Sequence, residues 1–306
     1  MADKAYDVLI IGGGPGGYTA ALYCARAGLK TAVLEKLSPG GQMATTDQVD
    51  NYPGFDIGIE GFDLGAKMAA GAERFGAVTE LTEVTGVDLI GKEKVAHTPD
   101  GDFTGKAIIL ALGANPREIG LPEERNLWGR GVAYCVTCDG MLYKGKDVAI
   151  VGGGNTAVEE ALFLSKICSH VTLIHRRDKL AAQQVMLRTL LDAKNVTILY
   201  NSAVKAIHAE KKVTGITVAT KDGSTQELAV AGLFVAIGRV PVTQMFEGQL
   251  QLDKAGYIIA DETTRTNLPG VFAVGDIRTK ALRQIITAAA DGAMASKFAE
   301  EYLNTL

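Results

Sequence analysis

Residues 6–17 read Tyr-Asp-Val-Leu-Ile-Ile-Gly-Gly-Gly-Pro-Gly-Gly, and this stretch decides the fold. An apolar run of strand length enters a glycine turn, and a segment of helical character follows over 18–27. In a dinucleotide-binding fold the first glycine permits the tight turn, the second lets backbone approach a pyrophosphate, and the third lets helix pack on strand. Gly12, Gly14 and Gly17 occupy these positions. The helix that starts here offers its free N–H groups to phosphate.

A second feature, the acid that follows the next strand, supports the same interpretation. The short apolar run 31–34 ends at Glu35. An acidic residue about 20 positions after the glycine turn is placed to meet a ribose hydroxyl. A glycine-rich turn with no ligand is the alternative, but the strand, turn, helix and acid together favour a nucleotide site.

The same unit returns later in the chain. A strand-like run over 146–151 leads into Gly152, Gly154 and Ala157, where alanine is a permitted third residue. The next strand ends in the basic run 175–177, His-Arg-Arg, rather than in an acid. Two arginines there suit the 2′-phosphate of NADP, and a solvated basic loop is the alternative. Two dinucleotide sites in one chain indicate FAD together with NAD(P)H.

The segments that follow each unit are also similar. Alternating Val, Ile and Thr with turn residues over 77–105 and 196–233 predict antiparallel meander strands. Each is followed by an apolar strand that ends in glycine and then by a proline, Pro116 or Pro241, which we interpret as hinges. A helix is predicted over 281–302.

The predicted fold class is α/β, with two Rossmann-like three-layer nucleotide-binding domains, the second inserted in the first. The length of 306 residues suits two domains. We expect a discontinuous FAD-binding domain over 1–116 and 243–306. The NAD(P)H-binding domain is expected over 117–242 and carries the cysteine pair described below.

Composition excludes several classes of protein. Charged residues are 22% and hydrophobic residues 47%, which excludes intrinsic disorder, and a net charge of −4 indicates no nucleic-acid partner. Apolar runs fall short of the ~20 residues of a membrane-spanning helix, so no membrane association is expected. The N-terminus has no signal-peptide pattern, and we therefore expect a cytoplasmic protein whose cysteines are not structural staples.

The chain carries one CxxC motif, Cys135 with Cys138. A metal half-site is one interpretation, but no second pair exists, since Cys24 and Cys168 lie singly in predicted helices as small buried residues. A redox dithiol fits better, because neighbouring thiols favour thiolate attack; a purely structural role is the remaining alternative. Asp139 is positioned to exchange a proton with the thiol or with reduced flavin, or to cap the helix that follows.

Several motifs together carry a family resemblance: Gly12–Gly17, Gly40–Met43, Asn51–Gly54, Tyr134–Gly140, Gly152–Glu160, His175–Arg177, Gly275–Asp276 and Arg283–Gln284. With them the chain resembles the low-molecular-weight, bacterial-type thioredoxin reductases over its whole length. The position of the dithiol is diagnostic, because this family carries it inside the nicotinamide domain. The larger disulfide reductases carry theirs near the N-terminus.

The resemblance implies roles for individual residues, and with one cysteine pair no metal site is expected. The residues expected to contact FAD are Gly12, Gly14, Pro15, Gly16, Gly17, Glu35, Gly41, Gln42, Asn51, Val84, Gly113, Asp276, Arg283, Gln284 and Ile285, and Asp276 meets the ribityl chain. Those expected to contact the nicotinamide nucleotide are Gly152, Gly154, Asn155, Thr156, His175, Arg176 and Arg177.

One departure from the family concerns the nucleotide donor. The basic motif of the family usually includes a further arginine where this chain has Ala181. A charge-assisted phosphate contact contributes about 1.5–3 kcal/mol, so its loss would lower NADP preference roughly ten- to a hundredfold. Lys179 is placed to compensate. We favour NADPH and leave NADH, dual use and another electron donor open.

The resemblance also implies a mechanism and partners. Electrons pass from NADPH through FAD and the dithiol to a thioredoxin-like protein, with Cys138 facing the flavin and Asp139 handling the proton. The inserted domain would rotate about Pro116 and Pro241 between two poses, and we expect a homodimer. A flavin-linked oxidase of small dithiols and a redox sensor without turnover are the alternative functions.

Overall fold

The structure, a computed structural model, describes residues 4–306. Within that range the β-strands are β1 Ala5–Ile11, β2 Thr31–Glu35, β3 Val78–Leu81, β4 Gly86–Asp88, β5 Lys94–His97, β6 Phe103–Leu110, β7 Ala114–Pro116, β8 Val132–Ala133, β9 Asp147–Gly152, β10 His170–Ile174, β11 Val196–Leu199, β12 Ser202–Ala209, β13 Val213–Thr220, β14 Thr225–Leu228, β15 Gly232–Ala236, β16 Arg239–Pro241 and β17 Val271–Ala273. The α-helices are α1 Pro15–Arg26, α2 Gly61–Glu73, α3 Val136–Asp139, α4 Asn155–Ser165, α5 Gln184–Asp192 and α6 Ile285–Leu303. Short 3₁₀ helices lie at Gly41–Thr45, Arg125–Leu127, Gly140–Tyr143, Gln244–Phe246 and Gly275–Ile277. No helix in the described part of the chain is both long and apolar enough to span a bilayer.

The chain forms two compact units. The first comprises the described residues up to Asn115 together with Val240–Leu306, and the second comprises Pro116–Arg239. The limits predicted from the sequence differ from these by one to three residues. Two short strands, β7 and β16, lie at the limits and pair with each other.

The first unit is built on a seven-stranded sheet. Its order is β3-β2-β1-β6-β5-β4, and β17 pairs with β6. The strands β3, β2, β1, β6 and β17 are parallel, with Val8 opposite both Thr31 and Ala107. Strand β5 pairs antiparallel with the first half of β6, and β17 pairs with the second half. The carboxyl end of the central strand β1 therefore leads directly into the first glycine turn.

Both faces of this sheet are buried, which explains the unbroken apolar run in β1. Leu9 and Ile11 belong to one core cluster, whereas Val8 and Ile10 belong to the other, which includes residues of α1 and α6. Alternate side chains of a strand point to opposite faces, so a covered parallel sheet needs apolar residues at every position.

The second unit repeats this architecture. Its five-stranded sheet has the order β11-β10-β9-β15-β8 and is parallel throughout. Strands β12, β13 and β14 form a separate antiparallel sheet. The predicted α/β class with two Rossmann-like units, one inserted in the other, is confirmed.

Four local predictions were wrong. Strands β3 and β11, expected in antiparallel meanders, each extend a parallel sheet, because the crossovers through α2 and α5 place them beside β2 and β10. The last helix begins at Ile285 rather than 281, since the extended backbone of Gln284 forms its N-cap. Cys168 lies in the turn after α4 rather than in a helix, although it is buried as expected.

Candidate active site

The first glycine turn shows why each glycine is required. A Cβ on Gly12 would lie 2.6 Å from the carbonyl oxygen of Ala111, and Gly12 has a φ of +101°. A Cβ on Gly17 would overlap the carbonyl oxygen of Gly12, so only glycine lets α1 pack this closely. A Cβ on Gly14 would meet nothing within 4 Å. The open space at Gly14, at the N-terminus of α1, fits a pyrophosphate.

This difference between two glycines gives a testable prediction. Gly14→Ala should fold but bind FAD at least about tenfold more weakly, because its methyl group would occupy space that the fold leaves open for phosphate. Gly17→Ala should fail to fold the first unit, because the clash is with backbone. Circular dichroism and FAD titration of the apoprotein measure both effects. Unchanged FAD affinity in Gly14→Ala would place the pyrophosphate elsewhere.

Glu35 lies beside the same turn at the end of β2. Its carboxylate accepts hydrogen bonds from the Gly13 N–H at 2.6 Å and from the Leu37 N–H at 3.0 Å. These bonds fix the carboxylate next to the glycine turn, at the position where the sequence predicts a ribose contact. The ribose contact itself stays a prediction.

A second segment lies against the first glycine turn. The Gly40 N–H donates to the carbonyl of Gly13 at 2.8 Å, and a Cβ on Gly41 would lie 3.4 Å from the Cα of Gly14. The Gln42 amide donates to the Ala114 carbonyl at 2.8 Å, and a Cβ on the nearby Gly113 would lie 4.0 Å from this amide. The predicted FAD residues Gly41, Gln42 and Gly113 are therefore close together.

The C-terminal part of the chain contributes the remaining residues. The Asn51 amide donates to the Gln284 side chain at 3.0 Å, just before Ile285 begins α6. The guanidinium carbon of Arg283 lies 4.1 Å from the centre of the Tyr257 ring. The buried Nε of Arg283 has no hydrogen-bond partner among the described residues. Burying a donor without a partner is costly, so this atom fits a ligand contact.

The C-terminal part of the chain also packs against the first glycine turn. A Cβ on Gly16 would lie 3.1 Å from the carbonyl of Ala288 in α6. Val84 is buried in the core cluster that contains Leu9 and Leu34. Its expected FAD contact stays a prediction.

The second glycine turn follows the same design. A Cβ on Gly152 would lie 2.6 Å from the Ala236 carbonyl, and a Cβ on Gly154 would meet nothing within 4 Å. Ala157 is fully buried at the third position. The Asn155 side chain accepts the Gln183 N–H at 2.9 Å and so ties the following loop to the turn.

The basic run lies beyond β10 and next to this turn. The ring of His175 packs against Gly153, and its buried Nε2 has no hydrogen-bond partner within residues 4–306. Arg176 and Arg177 are exposed, as is Thr156 at the start of α4. Each unit thus has a buried polar atom without a hydrogen-bond partner among the described residues, on a residue that the resemblance assigns to the nucleotide.

The cysteine pair forms a disulfide. Cys135 and Cys138 are joined with a Cα–Cα distance of 5.3 Å, which excludes a metal half-site in this state. Cys135 is the N-cap of α3, and the Cys138 N–H donates to its Sγ at 3.2 Å. Asp139 is half-buried as the last residue of α3, and its side chain does not cap the 3₁₀ helix Gly140–Tyr143. The capping alternative for Asp139 is therefore wrong.

A buried glutamate that sequence reasoning missed holds the residue before Cys135. Glu124 is fully buried, and its carboxylate accepts the N–H groups of Ile119 at 2.9 Å and Gly120 at 2.8 Å. It also accepts the Tyr134 hydroxyl at 2.7 Å, and burial together with Glu124 raises the pKa of Tyr134. The protonated hydroxyl therefore fixes the chain immediately before the disulfide.

A second missed acid lies on α4 beside the disulfide helix. Burial raises the pKa of Glu160 to about 7, although the Val136 N–H and Arg239 act to lower it. Val136 lies between the two cysteines in the sequence. This carboxyl therefore changes charge near neutral pH in direct contact with the disulfide segment.

The raised pKa makes stability depend on pH with a defined sign. Between pH 4.5 and about 7 the folded protein keeps a proton on Glu160 that the unfolded chain has released, so stability falls as pH rises through this window. Glu160→Gln should remove this loss and stabilise the protein at pH 8 by up to about 3 kcal/mol, with little effect at pH 4.5. Thermal unfolding at the two pH values checks this. The exposed neighbour provides a control, Glu159→Gln, and equal pH responses in both variants would contradict the assignment.

The chain is similar to a protein family and to several known proteins. A family model described as pyridine nucleotide-disulphide oxidoreductase matches residues 6–292. A thioredoxin reductase of Streptomyces clavuligerus is 48% identical over 304 residues, covering 98% of this chain and 94% of the relative. A thioredoxin reductase of Listeria monocytogenes serovar 1/2a is 46% identical over 307 residues, covering 99% and 96%. The crystal structure of thioredoxin reductase from Streptococcus pyogenes MGAS5005 has a TM-score of 0.94 at 40% identity, and the match covers 100% of both chains.

The chain has two doubly wound units, each with its own glycine turn, and the second unit carries a disulfide. This is the architecture of a disulfide oxidoreductase that binds two dinucleotides. The chain belongs to the pyridine nucleotide-disulphide oxidoreductase family and, within it, to the thioredoxin reductases. The resemblance noted in the sequence is confirmed.

Proposed function

We propose that the protein is a thioredoxin-disulfide reductase that uses NADPH and FAD and passes electrons through the Cys135–Cys138 dithiol to a thioredoxin-like protein. The observation that carries this proposal is the disulfide of α3, which lies in the same unit as the second glycine turn. The name shared by the relatives favours this function over a small-molecule dithiol oxidase or a sensor without turnover.

We assign FAD to the first unit. Gly14 leaves space for the pyrophosphate, Glu35 lies where a ribose hydroxyl is expected, and the buried Nε of Arg283 supplies a free donor. When bound, FAD accepts a hydride from the nicotinamide and delivers an electron pair to a disulfide.

We assign NADPH to the second unit. The open space at Gly154 suits its pyrophosphate, and the buried Nε2 of His175 supplies a polar contact. The exposed guanidinium groups of Arg176 and Arg177 attract the 2′-phosphate. Ala181 lies beside the second glycine turn, because its N–H donates to the Gly153 carbonyl at 2.6 Å. Its short side chain therefore weakens, but does not abolish, the preference for NADPH.

The dithiol performs disulfide exchange. Reduction adds two electrons and breaks the bond between Cys135 and Cys138, and Asp139 supplies a proton to the Cys138 sulfur. The Cys135 thiolate, stabilised by the Cys138 N–H, attacks the acceptor disulfide, forms a mixed disulfide and releases one acceptor thiolate. The Cys138 thiol then returns its proton to Asp139, and the resulting thiolate attacks the Cys135 sulfur, which restores the disulfide and releases the second acceptor thiolate. Each released acceptor thiolate takes a proton from solvent.

A rotation of the second unit would let one flavin react first with the nicotinamide nucleotide and then with the Cys135–Cys138 disulfide. The disulfide and the second glycine turn belong to one unit, so they move together. Pro116 ends β7 and Pro241 ends β16, and these two short strands are the connections about which the unit would turn. We further propose that the protein is a cytoplasmic homodimer.

An anaerobic titration tests the proposed function. The visible flavin band of the purified protein is followed while NADPH, then NADH, then oxidised thioredoxin is added. Bleaching by NADPH and recovery on thioredoxin are expected. If neither nucleotide bleaches the band while a chemical reductant does, the electron donor is another molecule, such as ferredoxin or a reduced flavin.

A further inference from the structure

A buried cluster of charges lies in the first unit, outside the residues assigned so far. Asp291 on α6 accepts hydrogen bonds from the Arg278 guanidinium at 2.9 and 2.7 Å and from the Lys280 ammonium at 2.7 Å. The side chains of all three residues are less than a tenth exposed. Burial alone would raise the pKa of Asp291, but the bonds from Arg278 and Lys280 lower it, so the carboxylate is ionised.

Stability alone does not explain such a cluster. A buried ion pair can often be replaced by apolar residues of similar volume without loss of stability, because desolvation offsets the attraction between the charges. A role that apolar side chains could not perform would explain the cluster. The fourth hydrogen bond to Asp291 indicates such a role.

That fourth bond holds the turn that precedes Asp276. The Gly275 N–H donates to Asp291 at 2.8 Å, and Gly275 has a φ of +71°, a conformation that side-chain-bearing residues rarely adopt. The Arg278 guanidinium also donates to the carbonyl of Ala260 at 3.2 Å. The ion cluster thus fixes both ends of the short 3₁₀ segment that carries Asp276.

Two further contacts link the cluster to the other FAD residues. The Arg278 carbonyl accepts a hydrogen bond from Arg283 at 3.3 Å, and Arg283 carries the buried Nε without a partner. Gly292, next to Asp291, packs so closely on the Gly16 carbonyl that a Cβ would overlap it. One point on α6 therefore contacts the glycine turn directly, holds the Asp276 turn, and reaches Arg283 through Arg278.

We propose that Asp291, with Arg278 and Lys280, is the positioning group of the FAD site: it holds the Gly275–Asp276 turn and Arg283 in place before the cofactor binds. This inference rests on the proposed function, because it assumes that the first unit binds FAD.

The test is FAD binding by the apoprotein, measured by quenching of flavin fluorescence. Asp291→Asn keeps the size of the side chain but removes its charge, and its FAD dissociation constant should rise at least about tenfold. Lys280→Met should raise the dissociation constant for FAD. Lys280→Arg keeps the charge, so its dissociation constant should stay near that of the parent. The Lys280 pair keeps the proposal testable if Asp291→Asn does not fold.

Lys94→Met serves as the matched control. Lys94 is another buried lysine of the first unit, where it donates to the Gly91 carbonyl. If the Asp291 cluster only stabilises the fold, FAD affinity should follow the thermal midpoint of the apoprotein across all variants. If the cluster positions the FAD residues, the FAD dissociation constant of Lys94→Met should stay within twofold of the parent value, whatever the thermal midpoint of this variant.

Two results would overturn the inference. If Asp291→Asn folds and binds FAD as tightly as the parent, this inference is overturned and the proposed function is not. Lys280→Met gives the same test if Asp291→Asn does not fold. A parent apoprotein that takes up no FAD would overturn the proposed function and this inference together.

Discussion

Replacing Cys138 by serine lowers the rate of thioredoxin reduction by about a thousandfold or more, while NADPH still bleaches the bound flavin. Serine cannot form the bond to Cys135, so the electron pair has no protein acceptor. The residues expected to bind NADPH follow β9 and β10 and are not altered. Steady-state NADPH consumption with oxidised thioredoxin measures the loss, and anaerobic bleaching measures the retained step.

Cys168→Ser is the matched control for this prediction. Cys168 is a buried free thiol of the same unit, whose Sγ donates to the Tyr143 carbonyl at 3.4 Å. Burial raises the pKa of its thiol to about 11, so it takes no part in thiolate chemistry. We expect near-parental turnover. Loss of flavin bleaching in Cys138→Ser would show that the assigned order of electron transfer is wrong.

Ala181→Arg should increase the preference for NADPH over NADH roughly ten- to a hundredfold, through one added charge-assisted phosphate contact. Position 181 is exposed, so the longer side chain has room, and its backbone bond to Gly153 holds it beside the glycine turn. The ratio of kcat/KM for the two nucleotides is the measurement. The change should lie mainly in the KM for NADPH.

Adding the same charge elsewhere controls for a general electrostatic effect. Ala209 is exposed at the end of β12 in the same unit, and Ala209→Arg should leave the ratio of kcat/KM unchanged. If Ala181→Arg leaves it unchanged as well, the 2′-phosphate does not lie near this loop. The assignment of Arg176 and Arg177 to that phosphate would then fail.

The parallel sheets could be predicted from the sequence because burial on both faces leaves a local signal. Strands β1 and β9 are apolar runs that end in glycine turns, and the required glycines stand at fixed spacing. The pairing of β3 could not be predicted in this way. Alternation in 77–105 indicates strands but not partners, and the partner of β3 is determined by the crossover through α2.

The acids that support the site were missed for a related reason. No motif assigns a role to Glu124, Glu160 or Asp291, and charged residues are mostly exposed in proteins, so each one is predicted to be a surface residue. Their roles arise only when the fold brings distant backbone to them, such as the Gly275 N–H to Asp291. No spacing rule in a single sequence encodes such contacts.

The discontinuity of the first unit determines when it can be completed during synthesis. Strand β6 pairs with β17, and Gly16 packs on Gly292, so the N-terminal half of this unit lacks its partners until nearly the whole chain has left the ribosome. The second unit is continuous, and all strands of its main sheet lie within residues 116–239. Domains fold as units while the chain emerges, so the inserted unit should fold first and uptake of the flavin should come last.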